Sequence, residues 1–103
     1  MTKFTIAAAP TFQAPVDIQL HGGGKAQIRF TFRHRRRSEI EDFVKAMEGK
    51  TREAVVQEMA SAWDLEDDFT AVNIAELLDN FGGAYDAIST RYFREIAQAP
   101  LGN

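Results

Sequence analysis

A run of basic side chains at residues 33–37, Arg-His-Arg-Arg-Arg, is the part of the sequence best suited to recognise a charged partner. Arginine forks match the oxygens of phosphate groups, so the run could contact a nucleic acid. However, the chain has a net charge of −3 and a pI near 5.3, whereas nucleic-acid-binding domains usually have a pI above about 9. We therefore favour an exposed strand-to-helix junction that pairs with downstream acids or contacts a protein partner. The candidate residues are Arg33, Arg35, Arg36 and Arg37.

A second polar run, Asp64-Leu65-Glu66-Asp67-Asp68, is rich in carboxylates. An EF-hand calcium loop requires alternating oxygen ligands, a central glycine and a glutamate at its last position, and this run does not have that pattern. Glu66 and Asp68 could act as an acid–base pair, but the sequence indicates no cleft around them. The run is therefore predicted to be a solvated loop that caps a helix.

The other groups that enzymes commonly use are few. His21 and His34 are the only histidines, and neither lies in a metal-binding motif or beside a nucleophile. Residues 22–24 are glycines, but no Gly-Lys-Ser/Thr follows at the spacing of a phosphate-binding loop. The absence of cysteine excludes disulfides and cysteine-ligated metal sites. We therefore predict a protein that is not an enzyme and has no cofactor and no metal site.

Aromatic side chains form the second set of candidate contacts. A lone tryptophan is more often part of a core, although tryptophan is enriched at the energetic hot spots of interfaces. The sequence leaves both roles open. The candidate partner-binding residues of this set are Trp63, Phe69, Phe81 and Tyr85.

The first third of the chain has the pattern of β-strands. Polar and apolar residues alternate over 16–20 and again over 26–33, so each run presents one polar and one apolar face. The glycines between the runs allow a tight turn, and a β-hairpin is predicted. Phe4 and Ile6 suggest a short additional strand. Two prolines are predicted to bracket a loop or an irregular edge segment, Pro10 and Pro15.

From Ser38 onward the apolar period changes to that of helices. Ser38 and Glu41 match a capping box, in which each side chain satisfies a free backbone N–H. Gly49 is predicted to end the first helix, and Thr51 and Thr70 are predicted to cap the next two. The apolar stripes indicate four helices, over about 38–48, 51–63, 70–81 and 84–98.

Together these patterns predict a single α+β domain over residues 1–103, with an N-terminal β-hairpin of two to three strands followed by about four short α-helices. Its charge is divided unevenly. Residues 1–37 carry seven lysines and arginines and one acid, a net +6, whereas residues 38–103 carry a net −9. The strand-rich basic part and the helical acidic part can therefore attract each other, within one molecule or between neighbours, over the roughly 8 Å that physiological salt allows.

Several short segments occur together in a recognisable order, covering nearly the whole chain. They are Lys3-Phe4-Thr5-Ile6, Ala9-Pro10-Thr11-Phe12, residues 30–35, Ala62-Trp63-Asp64-Leu65, Phe69 with Asn73, Leu77-Leu78, residues 80–84, Ala87-Ile88 and Tyr92. In these segments the chain resembles a family of phage tail assembly chaperones. One departure is Gly82, where we expect the family to have proline, so the junction of the third and fourth helices is predicted to be looser here.

The resemblance implies that the protein binds the tape measure protein before the tail tube polymerises, with the tail tube protein and further copies of the chain as additional partners. It also implies a place in the host bacterial cytoplasm and absence from the mature virion. The residues predict no membrane partner, because no run approaches the roughly 18 apolar residues of a membrane span. The alternative function is a small nucleic-acid-binding or regulatory protein that uses Arg33–Arg37.

Overall fold

The computed structural model describes residues 4–98, which form a three-stranded antiparallel sheet and four α-helices. The strands are β1 (Thr11–Gln19), β2 (Lys25–Arg33) and β3 (Ala60–Trp63). The helices are α1 (Ile40–Ala46), α2 (Arg52–Met59), α3 (Ala71–Asn80) and α4 (Ala84–Ala97), and a 3₁₀ turn over Arg37–Glu39 precedes α1. This arrangement confirms the predicted α+β class.

Strands β1 and β2 form the predicted hairpin, whose register begins with Thr11 opposite Arg33. The turn is possible because Gly22 and Gly23 take positive φ angles of 89° and 100°, which cost little in the absence of a Cβ atom. Alternate side chains of both strands are buried, namely Ala14, Val16, Ile18, Ile28, Phe30 and Phe32. The period-two pattern of the sequence thus correctly indicates which face of the hairpin the helices cover.

Strand β1 is an edge strand, because the order in the sheet is β1-β2-β3. At one end of the ladder the His34 N–H donates to the Pro10 carbonyl oxygen at 2.9 Å. At the other end the Leu20 N–H donates to the Gly24 carbonyl oxygen at 2.7 Å. Since every second residue of an antiparallel strand bonds its partner, Pro15 occupies a position whose nitrogen faces away from β2. No ladder bond is lost there, which is why a proline is tolerated inside β1.

Strand β3 lies where the sequence indicated the last turn of the second helix. It pairs with β2 through Phe30 opposite Trp63 and Phe32 opposite Ala60, with an irregularity between them. The prediction of a helix reaching Trp63 was therefore wrong after Met59, where α2 ends. Alanine favours helices, but here the free edge of β2 offers backbone hydrogen bonds that a local pattern cannot reveal.

The additional strand predicted at Phe4 and Ile6 is not formed. Residues 4–10 lie outside helices and strands, and the Phe4 and Ile6 side chains are 90% and 97% exposed. The physical reason is that β2 ends at Arg33, opposite Thr11, so no neighbouring strand extends far enough to pair with them. We call residues 4–9 the N-terminal arm.

Two of the predicted helix caps are confirmed. The Thr51 hydroxyl accepts a hydrogen bond from the Ala54 N–H at 3.3 Å, and the Thr70 hydroxyl accepts one from the Asn73 N–H at 3.2 Å. Each satisfies a donor that the first turn of a helix leaves without a partner.

The capping box predicted at Ser38 and Glu41 is not formed, and a carboxylate bond of the same kind lies two residues earlier. The backbone N–H of Arg36 donates to Oε1 of Glu39 at 2.7 Å, which starts the 3₁₀ turn ahead of α1. Gly49 takes a φ of 82° just after α1, as a residue that stops a helix does. The glycine pair at 82–83 separates α3 from α4, as predicted.

The core combines the inner face of the hairpin with one stripe of each helix. Helix α4 crosses the sheet and buries every fourth residue, namely Ala84, Ile88, Tyr92 and Ile96. Ile74 of α3 and Val56 of α2 are fully buried against them. Within residues 4–98, no helix has the length and apolar character needed to cross a bilayer.

Candidate protein-interaction surfaces

Arg35 is held inside its own chain. Its Nη1 donates to the Glu58 carbonyl oxygen at 2.7 Å and to the Tyr92 hydroxyl at 2.8 Å, and its Nη2 lies 3.5 Å from the Glu58 carboxylate. The guanidinium also lies 3.9 Å from the centre of the Phe43 ring, a cation–π contact. The expected pairing of the arginine run with downstream acids is thus formed at this residue, and the side chain links the end of β2 to three helices.

The other arginines of the run are exposed and lie at the end of the sheet where the N-terminal arm begins. Arg33 donates through Nε to the Gln57 carbonyl oxygen at 3.3 Å, whereas the side chains of Arg36 and Arg37 form no hydrogen bond or ion pair with residues 4–98. We call this surface, made by Arg33, Arg36 and Arg37, the basic end. With Arg35 withdrawn into the fold, the phosphate-binding interpretation of the cluster loses one of its guanidinium groups.

Tyr92 is fully buried next to Arg35. Its hydroxyl donates to the Arg33 carbonyl oxygen at 2.9 Å and accepts from Arg35. Burial raises the pKa of the Tyr92 phenol above its ordinary value of 10.0, and the hydrogen bond from Arg35 opposes that shift only in part. Tyr92 therefore stays neutral, and its two hydrogen bonds fix the path of the chain as it leaves β2.

The four candidate aromatic residues divide into a packed pair and two residues with other partners. Trp63 and Phe69 meet edge to face at 5.0 Å, and Trp63 also meets Phe30 at 6.0 Å. Phe81 packs against His21 of the hairpin turn, with ring centres 5.3 Å apart and the rings tilted by 33°. Tyr85 lies under the guanidinium of Arg52 at 5.1 Å. Trp63 is half-buried: one part of its side chain packs against the core and the rest is accessible at the surface.

Trp63 and Phe81 both line a cleft of about 350 Å³, together with residues of the segment after β3 and of helix α3. Its apolar walls are completed by two leucines and its rim carries two acids and two amides: Leu65, Leu77, Asp67, Glu76, Asn73 and Asn80. We call it the aromatic cleft. Neither lysine nor arginine lines it. Such a shape suits a bulky apolar side chain flanked by positive charge.

The acidic run forms one wall of the aromatic cleft and is fixed by side-chain bonds. Asp64 Oδ1 accepts from the Arg29 N–H at 2.9 Å, and Trp63 Nε1 donates to the Asp67 carbonyl oxygen at 2.7 Å. Asn73 Nδ2 donates to the Asp68 carbonyl oxygen at 2.8 Å. All five residues of the predicted solvated loop are exposed, and these hydrogen bonds fix the path of the loop beside the cleft.

The walls of the cleft include two residues that sequence reasoning did not select, Leu65 and Leu77. Leu77 is half-buried on α3, and whether it borders a cleft depends on the path of the loop after β3. No sequence signal marked Leu65, because single leucines are common on protein surfaces. No group of three or more metal-binding side chains lies together in the part of the chain that the structure describes.

Comparison with known proteins gives one match. The model of the phage tail assembly chaperone family matches residues 1–103. No curated protein and no solved structure matches the chain significantly. The family is one of chaperones and not a class of enzymes, and it implies protein partners in tail assembly. Because the match extends over the full sequence that suggested the resemblance, the chain belongs to the phage tail assembly chaperone family.

Proposed function

We propose that this protein binds the tape measure protein while the phage tail is being assembled, before the tail tube polymerises. The observation that carries the proposal is the family match over residues 1–103. The proposal includes the tail tube protein and further copies of the chain as additional partners. It places the protein in the host bacterial cytoplasm and outside the mature virion.

The aromatic cleft is the surface that we assign to the client. A helix can insert an apolar side chain between Trp63 and Phe81 while its own lysines or arginines approach the acidic rim. The rim carboxylates of Asp67 and Glu76 form no hydrogen bond or ion pair with other residues in the range 4–98. They are thus available to a cationic partner. The partner-binding role of the exposed arginines at the basic end stays a prediction.

Co-expression with the cognate tape measure protein tests the proposal. We expect the chaperone to raise the soluble fraction of the tape measure protein and to co-purify with it. Leu65→Asp introduces a charge into the apolar wall, and we expect it to weaken the complex by about tenfold or more, because an apolar partner group would have to cover a carboxylate.

Val72→Asp is the matched control. Val72 is 73% exposed near the start of α3 and does not line the cleft, so the same charge is added with the same side-chain type. This variant should bind like the wild type. An unchanged soluble fraction together with no co-purification by the wild-type chain would refute the proposed function, whereas equal binding by both variants would refute only the assignment of the cleft.

A further inference from the structure

Helix α1 is attached to the rest of the domain by few contacts. We call residues 36–50, which contain the 3₁₀ turn, α1 and the turn at Gly49, the α1 flap. Among the described helices and strands, α1 packs closely along its backbone only with the 3₁₀ turn before it, whereas α2 packs on both α3 and α4. Every hydrogen bond that the flap makes within residues 4–98 stays inside the flap, and no ion pair leaves it.

One side chain anchors the flap. Phe43 is the only buried residue of α1, and Ile40 is half-buried. The guanidinium of Arg35 lies 3.9 Å from the centre of the Phe43 ring. The centres of the Tyr92 and Phe93 rings lie 5.9 and 6.1 Å from it. The contacts of the anchor thus come from the end of β2 and from α4, and the anchor involves no backbone bond.

Helix α1 does not close against its neighbour α2. A groove of about 480 Å³ is lined by Phe43 and Ala46 of the flap and by Arg33 and Glu58 outside it. Ala46 and Glu58 are both exposed, so water reaches the space between α1 and the end of α2. A segment that already borders solvent on this side gives up little buried surface when it moves away.

The length of α1 makes it dependent on its anchor. It has seven residues, whereas isolated helices shorter than about 12 residues are marginal in water. Glu39 at its start makes no side-chain bond to the first turn of α1. Gly49 after its end has open space where a Cβ atom would lie. Neither end is therefore held by side chains, and both can act as hinges.

We infer that the α1 flap opens as a unit while the sheet and helices α2, α3 and α4 stay folded. In the open form, Phe43 leaves Arg35, Tyr92 and Phe93, and α1 unwinds because its seven residues have lost their anchor. Arg35 keeps its hydrogen bonds to Glu58 and Tyr92, neither of which belongs to the flap. Opening uncovers the Phe43 ring and the rings that it contacts. It is a property of the chain itself, so it holds whatever the client is.

Native-state amide hydrogen exchange of the full chain, measured by NMR at urea concentrations below the unfolding transition, tests the inference. Amides over 44–47 should exchange about a hundredfold or more faster than those of Ile88 and Tyr92 in α4. Their rates should depend only weakly on urea, because opening of the flap exposes little surface. The amides of α4 should show the full urea dependence of global unfolding.

Two variants separate opening of the flap from global unfolding. Phe43→Ala removes the anchor, so exchange over 44–47 should become about tenfold or more faster while far-ultraviolet circular dichroism still shows a folded domain. Ile74→Val trims the fully buried Ile74 of α3, outside the flap. It should speed exchange in α4 by about fivefold and leave residues 44–47 unchanged, because it weakens the closed and the open form equally.

A glycine substitution tests the hinge without touching the core. Gly49 has a φ of 82° and open space around it, so Gly49→Ala strains only the closed turn and should speed exchange over 44–47 by about fivefold. Gly82→Ala is the matched control, because Gly82 has the same open space without a positive φ. It should leave exchange over 44–47 unchanged.

Exchange over 44–47 with the rate and the urea dependence of α4 would overturn the inference. An equal effect of Ile74→Val on both segments would also overturn it, since α1 would then be released only when the whole domain unfolds. The same holds for a Phe43→Ala chain that is no longer folded, and for rates over 44–47 that Phe43→Ala does not change.

Discussion

At the scale of single residues, adjacent arginines have different roles. Arg35 forms charged hydrogen bonds to Glu58 and Tyr92 and covers the Phe43 ring, whereas the side chain of Arg36 is exposed. The sequence shows a uniform basic run, and the partners of Arg35 are 23 and 57 residues away along the chain. No local pattern could have distinguished the two residues.

This difference predicts unequal effects of the same substitution. Arg35→Ala removes hydrogen bonds from a charged donor and a cation–π contact, so we expect a loss of about 2–3 kcal/mol in the free energy of unfolding. Arg36→Ala should change it by less than about 0.5 kcal/mol, as exposed substitutions do. Urea denaturation at neutral pH measures both. Equal values for the two variants would show that the contacts of Arg35 contribute no net stability.

The buried phenol of Tyr92 predicts a dependence of stability on alkaline pH. Its pKa is raised in the folded state by burial, so the neutral form is favoured by folding. The resulting stability is fully present below the ordinary tyrosine pKa of about 10. It is lost as the pH rises from there through the raised pKa of the folded state.

Tyr92→Phe should therefore lower the free energy of unfolding by about 1–2 kcal/mol at pH 7, because the Arg33 carbonyl and Arg35 lose a partner. Above pH 10, the difference between wild type and variant should shrink. Tyr85→Phe is the control, since Tyr85 is the other tyrosine and its hydroxyl bonds no residue within 4–98. A wild-type advantage that stays constant above pH 10 would contradict the assignment.

At the scale of elements, the sequence correctly predicted the features that depend on contacts between residues close together along the chain. The alternation over 16–20 and 26–33, the glycine turn, and the threonine caps at 51 and 70 all correspond to contacts between residues near in sequence. Strand β3 was missed because it exists only through β2, about 30 residues away. Its four residues have the alanine content of a helix, and tertiary pairing overrides that preference.

The carboxylate of Asp64 holds the start of the loop after β3 against β2. Asp64 accepts from the Arg29 N–H, and its own N–H donates to the Arg29 carbonyl oxygen at 3.1 Å. Asp64→Ala removes the first of these bonds, so we expect a loss of about 1–2 kcal/mol in the free energy of unfolding and faster amide exchange over 65–69. Glu66→Ala, in the same loop but without a side-chain bond to residues 4–98, should change neither. Identical exchange in both variants would contradict an anchoring role for Asp64.

At the scale of the whole molecule, the uneven charge of the sequence contributes to two surfaces of opposite charge. The excess of positive charge before residue 38 includes the basic end, and the acids that follow include the rim of the aromatic cleft. The sequence predicted attraction between the two parts without saying where they lie. The fold shows how near they are: Trp63 of the cleft pairs with Phe30, which is three residues before Arg33 of the basic end along β2.

The sequence identified only some of the residues of the candidate site. Of the four aromatic residues selected as types that interfaces use, Trp63 and Phe81 line one cleft, Phe69 packs against Trp63, and Tyr85 does not line the cleft. The wall at Leu65 and Leu77 could not be placed, because it requires the path of the loop between β3 and α3. The candidate arginines lie apart from the aromatic residues, so the residues selected from the sequence form two surfaces and not one.

Pro15 in the outer strand limits how this protein can aggregate. A free strand edge is a template on which another chain can extend the sheet, and successive additions lead to fibrils held by backbone bonds. Here the middle of that edge lacks a donor, since the Pro15 nitrogen faces outward and carries no hydrogen. A strand from another chain would lose a backbone hydrogen bond at the centre of the ladder. This loss disfavours extension of the sheet on the β1 edge. Backbone pairing along the free edge of β1 is thereby confined to the short stretches on either side of Pro15.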